Sequence, residues 1–224
     1  MLLACVACTV EKPVEQKKPA PIVIVKAKPQ WLTPEQRAEL KFPLELIEKV
    51  ETAAGAKAEP FFTTVVLQSE NLKGEEKFES KKLAGFSVRT TKADDLLASI
   101  RVKGYLLFKS QKGYGSVPDI VSVIKGNSSY DALKIQGTEA ISYKYDTKAI
   151  IVWLKERQRE GSFVITGAGP DWVEARFIKS PQDMIAFAQN MSVFAPDVLV
   201  RDTRTVEKLA EQMEKTNSFY LTWD

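Results

Sequence analysis

The chain has 224 residues, 44% of them hydrophobic and 27% charged, which suits a globular body with one sizeable core or two small ones. It has no histidine, and its two cysteines are Cys5 and Cys8. This excludes Ser-His-Asp and Cys-His machinery, His-ligated zinc, and any thiol nucleophile, internal disulfide or thiolate metal site in the body. The net charge of +3 belongs to residues 1–30, where five Lys face two Glu; the other 27 basic and 27 acidic residues cancel. A neutral body argues against a dedicated nucleic-acid surface, because phosphate binding needs a basic excess on one face.

Residues 1–10, MLLACVACTV, are too few to cross a bilayer, which takes about 20. They resemble the back half of a secretion signal. Leu2-Leu3-Ala4-Cys5 looks like a bacterial lipobox, in which a small residue precedes a cysteine that is acylated after cleavage. Cys8 is the alternative lipidation position. Residues 11–30 carry Pro13, Pro19, Pro21 and Pro29 with five Lys, an extended, solvated tether. Ile22–Val25 interrupts it, either as a strand for a sheet edge or as a sticky segment. Anchor, tether and folded domain make the layout of a lipid-anchored protein of the bacterial cell envelope, facing the periplasm or exterior. Without lipid, the tether is a disordered tail and the protein cytoplasmic.

The body starts with Thr33-Pro34-Glu35-Gln36, a helix start with Thr as cap, Pro at the first helical position and Gln where a capping box needs it. Pro43 begins a second helix with Leu44, Ile47 and Val50 on one face and Gly55 past its end. Phe61–Gln68 predicts a strand. Residues 69–82, rich in Lys and Glu with Gly74, predict a solvated loop. Ser87–Thr91 is strand-like, and Lys92–Lys103 predicts a helix stopped by Gly104. Tyr105–Lys109 and Ile120–Lys125 are strands, separated by a turn at Lys112–Gly115 that lacks the context of a phosphate loop. Tyr130–Ile135 suits a helical turn.

Thr147–Arg159 predicts a helix with Ile150, Trp153 and Leu154 inward. Phe163–Thr166 and Trp172–Ile178 form a hairpin across the Gly167–Pro170 turn. Ser180-Pro181-Gln182-Asp183 opens the next helix, with Ser as cap and Asp in the positive first turn, and its stripe of Met184, Phe187, Ala188, Met191 and Phe194 is core rather than a cofactor box. Pro196-Asp197 stops it. A last helix carries Val206, Leu209, Ala210 and Met213, and Phe219–Trp223 is the closing strand. Strands outnumber a regular βαβ alternation, so the expected class is α+β: a mixed, largely antiparallel sheet with helices packed mainly on one face. Residues 31–224 form one domain, with a helical subregion over 31–83 and a core over 84–224.

From about Pro43 to Asp224 the chain resembles a bacterial family known only as a domain of unknown function. Its members carry a Gly-Ala-x-x-Asp-Trp-Val-Glu run and end in Leu-Trp-Trp-Asp. Here Gly167-Ala168, Asp171-Trp172-Val173-Glu174, Pro196-Asp197, Thr205-Val206-Glu207, Leu221 and Trp223-Asp224 match its elements. Three positions depart from it: Ala195 replaces the family's Cys, Val200-Arg201-Asp202 its Asp-Gln-Gly, and Thr222 the first Trp of its tail. The resemblance implies a fold and no reaction.

Strand alternation puts Trp172, Glu174 and Arg176 on one face of the hairpin and Val173, Ala175 and Phe177 on the other. If the closing strand is its neighbour, Trp172, Glu174, Arg176 and Tyr220 make an aromatic and charged platform of the residue types that dominate binding hot spots. The alternative is burial, with Trp172 packed under the 31–60 helices and Glu174 and Arg176 paired as ordinary surface charges. An enzyme without His would need carboxylates, and Asp171, Glu174, Asp197 and Asp202 are the candidates for acid–base work or a hard cation. No spacing forces two of them together. The leading expectation is therefore a non-catalytic envelope lipoprotein domain that binds a protein or peptide partner, with no cofactor, no metal and no nucleic acid. A carboxylate-dependent hydrolase is the alternative.

Overall fold

Capping residues and glycines set the ends of the elements, and the computed structural model follows those signals closely. It describes residues 30–71, 74–114, 116–199 and 204–223. Cys5, Cys8, the tether and Asp202 lie outside them. Helix α1 (Pro34–Leu40) starts on a reciprocal capping box. The Gln36 amide donates to Thr33 Oγ1 at 3.3 Å, and the Thr33 amide donates to Gln36 Oε1 at 3.0 Å. Helix α2 (Leu44–Ala54) ends on Gly55, whose φ of 66° a glycine adopts without strain. Strands β1 (Glu59–Asn71) and β2 (Gly74–Thr90) follow, then α3 (Ala93–Ser99), β3 (Tyr105–Gln111) and β4 (Asp119–Lys125). Helices α4 (Asp131–Gln136) and α5 (Thr147–Arg157) lead into β5 (Ser162–Ala168) and β6 (Trp172–Lys179). Helix α6 (Met184–Phe194), a 3-10 turn (Pro196–Leu199), α7 (Val206–Thr216) and β7 (Ser218–Thr222) complete the chain.

The seven strands of the described residues join one sheet in the order β1-β2-β4-β3-β5-β6-β7. Every pairing is antiparallel except β3 with β5, so the fold is α+β with a mixed, largely antiparallel sheet. One expectation fails. In the charged stretch 69–82, residues 69–71 and 74–82 are not loop but strand, with Glu70 opposite Glu75 in the β1–β2 pair. A ladder satisfies backbone N–H and C=O groups whatever the side chains are, so charge content did not exclude a strand. Helix α3 is shorter than predicted: Ile100 is already extended (φ −115°, ψ 111°) but keeps its place in the core.

The sheet separates two cores. On β3 and β4, Phe108 and Ile124 point to one side and join Leu133, Ile150, Leu154, Phe187, Met191 and Met213 under α4–α7. Leu107 and Val123 point to the other side and join Ile47, Val50, Phe86 and Leu96 under α1–α3. The first core is rich in aromatics. Phe219 meets Phe163 edge-on at 4.9 Å and Phe187 at 5.4 Å, contacts worth about 0.5–1.5 kcal/mol each beyond area burial. The α1–α3 layer covers β2, β4 and β3. On the β5–β6–β7 half of that face, no core helix packs among the described residues.

Candidate functional site

That helix-free half carries the residues singled out by strand alternation. Strands β6 and β7 are neighbours, with Trp172 opposite Thr222 and Glu174 opposite Tyr220. The four predicted binding residues therefore share one face, but at different depths. Trp172 and Glu174 are buried, at 9% and 8% exposure, while Arg176 and Tyr220 are half-buried.

Trp172 is not under the 31–60 helices. Its indole stacks on Tyr220 (centroids 5.7 Å apart, planes at 23°) and lies against the bend of its own hairpin. A Cβ on Gly167 would stand 2.8 Å from the indole six-membered ring, and one on Gly169 would overlap the indole nitrogen. The two glycines make the seat for the ring. Around it, Thr138 Oγ1 donates to the Gly169 carbonyl at 2.7 Å. The Trp223 amide donates to the Asp171 carbonyl at 3.0 Å. The Gly-Ala-x-x-Asp-Trp-Val-Glu run is thus architecture: a seated indole, a tied-down tail, a core Val173 and an anchored acid.

That acid, Glu174, is the centre of a buried ion network. Its Oε1 lies 2.6 Å from Lys109 Nζ and accepts from Thr166 Oγ1 at 3.1 Å; its Oε2 lies 3.3 Å from Lys112 Nζ. Lys109 Nζ also reaches Asp94 Oδ1, in the first turn of α3, at 2.9 Å, and Arg176 meets the same oxygen at 3.0 Å. Lys112 Nζ sits 4.5 Å above the Tyr220 ring, a cation–π contact. A continuous chain therefore runs Arg176–Asp94–Lys109–Glu174–Lys112–Tyr220 and ties α3, β3 and β6 together. Burial works against the Lys109 ammonium, but Glu174 and Asp94 outweigh it and hold its pKa above the usual lysine value. A lysine so held is a charged donor, not a nucleophile.

The other candidate carboxylates are dispersed. Asp171 is exposed at the hairpin turn. Asp197 lies in the 3-10 turn, and its Oδ1 accepts from the Tyr143 hydroxyl at 3.0 Å. Glu174 and Asp197 line one groove of about 270 Å³ beside β7. Among the described residues no three His, Cys, Asp or Glu gather as a metal site, and no helix is long and apolar enough to cross a membrane. Of the positions that depart from the resembled family, Ala195 is fully buried and Thr222 is buried opposite Trp172.

Sequence reasoning missed Lys109, Lys112, Asp94 and Thr166. One signal was available. Lys109 follows Tyr105 and Leu107 at period two, so a lysine occupies an inward position of a buried strand and must meet a counter-ion there.

Residues 120–224 match a protein family described as a domain of unknown function (DUF4253). No curated protein and no solved structure matches the chain. The matched region runs from β4 to the C-terminus. It supplies Glu174, Arg176 and Tyr220, whereas Lys109, Lys112 and Asp94 come from the preceding part. The ion network joins the two.

Proposed function

We propose that the protein is a non-catalytic binding domain of the bacterial cell envelope, held to the membrane by a lipid on Cys5 or, alternatively, Cys8. Its partner is a protein or peptide, taken on the helix-free face at Arg176 and Tyr220. One observation carries this reading: on that face the ion network holds Arg176 through Asp94 and Lys112 through Glu174, with Lys112 over the Tyr220 ring. Fixed Arg and Tyr side chains lose little conformational entropy on binding, which is what a hot spot needs. The absence of histidine from the whole chain points the same way, as does the commitment of Glu174 to two lysines and a threonine.

The test is chemical crosslinking of the full chain in envelope extracts, comparing wild type with Arg176→Glu and Tyr220→Ala. The reading expects one crosslinked protein whose yield falls about ten-fold or more in both variants, a loss of about 1.4 kcal/mol, while circular dichroism shows both variants still folded. Equal yields from wild type and variants would overturn it. For the address, metabolic labelling with a palmitate analogue should be lost in Cys5→Ala or in Cys8→Ala. Label independent of both cysteines, or no label, refutes the lipid anchor.

A second reading, a carboxylate-dependent hydrolase, has one observation in its favour: Glu174 and Asp197 line the same groove. It requires that Asp197→Asn abolish turnover in a panel of glycosides and esters that the wild type hydrolyses.

A further inference from the structure

A second concavity borders the same face at the seam between β3 and β5. These parallel strands pair only at Lys109 with Gly167. On the C-terminal side of that pair the Gln136 amide closes the seam, donating to the Ser110 carbonyl at 3.1 Å and the Ala168 carbonyl at 2.9 Å. On the N-terminal side no strand pairing continues, and a groove of about 580 Å³ opens between the two strands and the end of α3. Its volume falls in the range of about 300–1,000 Å³ typical of small-molecule sites.

The lining is one-sided in charge. Leu97, Val164 and Ile178 supply apolar surface, and Ile178 is 74% exposed. Arg101, Lys103 and Arg176 are its charged residues, and among the described residues no Asp or Glu lines it. Arg176 is engaged by Asp94, which stands just outside the lining. Arg101 and Lys103 make no ion pair among the described residues. An apolar trough fringed only by cations is complementary to a molecule with an apolar chain and one anionic end.

We infer that this groove binds a single-chain amphiphile with a carboxylate head, a fatty acid. The chain lies along Leu97, Val164 and Ile178, and the carboxylate meets Arg101 and Lys103 at the rim. This site adjoins the partner face and shares Arg176 with it, but its ligand contacts at Arg101 and Lys103 do not depend on that reading.

The experiment is calorimetric titration of the full chain with decanoate below its micellar concentration, with decanol as the uncharged control and a short acidic peptide as a competing class of ligand. The expected result is saturable one-to-one binding of decanoate. Binding should be roughly ten-fold or more weaker for decanol and for the Arg101→Gln/Lys103→Gln double variant, which lose the charge-assisted contacts. Ile178→Asp puts a carboxylate into the trough from an exposed position. It should abolish decanoate binding while its thermal midpoint stays near that of wild type. Absence of saturable decanoate binding, equal affinity for decanol, unchanged affinity in the variants, or binding of the peptide but not of decanoate would each overturn the inference.

Discussion

At the scale of single residues, the inside of the molecule is most informative where it is not apolar. Lys109 and Glu174 are compensated by each other and by Asp94, Thr166 and Lys112. Tyr130 is different: its hydroxyl is buried with no hydrogen-bond partner among the described residues, and burial pushes its pKa up to about 12. An orphaned hydroxyl costs about 1–3 kcal/mol of desolvation, so Tyr130→Phe should leave stability at pH 7 unchanged or raise it by about 1 kcal/mol. Both groups also set an alkaline limit. Lys109 has a raised folded pKa, so its contribution is complete below the unfolded lysine value of about 10.4 and is lost as pH rises through the folded value. Tyr130 resists ionisation in the folded state, so stability is also lost as pH rises from its unfolded value of about 10 to its folded value of about 12. Urea unfolding measured from pH 8 to 12 should show stability falling above about pH 10. The fall should be shallower in Tyr130→Phe; identical slopes would contradict the assignment.

At the scale of elements, most of the architecture was legible because local signals and periodicity agreed. Thr33 with Gln36 caps α1 as its pattern predicts, whereas α6 is capped by Asp183 and not by Ser180 three residues earlier. The alternation in β6 correctly placed Val173, Ala175 and Phe177 in the core, with Trp172, Glu174 and Arg176 opposite. Two things were not legible. The Lys/Glu-rich residues 74–82 form strand through backbone pairing with β1, which no side-chain pattern announces. The depth of Trp172 and the partner of Glu174 depend on β3 lying beside β5, a contact 58 positions apart in sequence at Lys109 and Gly167 (167 − 109). The hairpin bend gives a direct test. Gly169→Ala would drive a methyl into the Trp172 indole, and overpacking of this kind costs about 1–3 kcal/mol or more. Denaturant melts should register that loss together with a shift in tryptophan fluorescence. A Gly169→Ala protein as stable as wild type would mean the indole is not seated there.

At the scale of the whole molecule, one sheet carries two cores back to back, and the ion network stands where the α1–α3 layer ends. It crosses from the part preceding residue 120 into the region that matches the family of unknown function. Its central pair, Lys109 and Glu174, unites β3 with β6, and the flanking Asp94 brings in α3. A binding face at Arg176 and Tyr220 requires this network to be a clasp rather than a catalytic centre. The most direct measurement is a double-mutant cycle by urea unfolding with Lys109→Met, Glu174→Met and the pair together. A buried clasp predicts a loss of about 3–5 kcal/mol for each single variant, because each leaves the other charge stranded. It also predicts a double variant that loses less than the sum, by about 1–3 kcal/mol. Single variants within about 0.5 kcal/mol of wild type, as for substitutions away from any structural feature, would contradict the clasp and reopen the case for chemistry at Glu174.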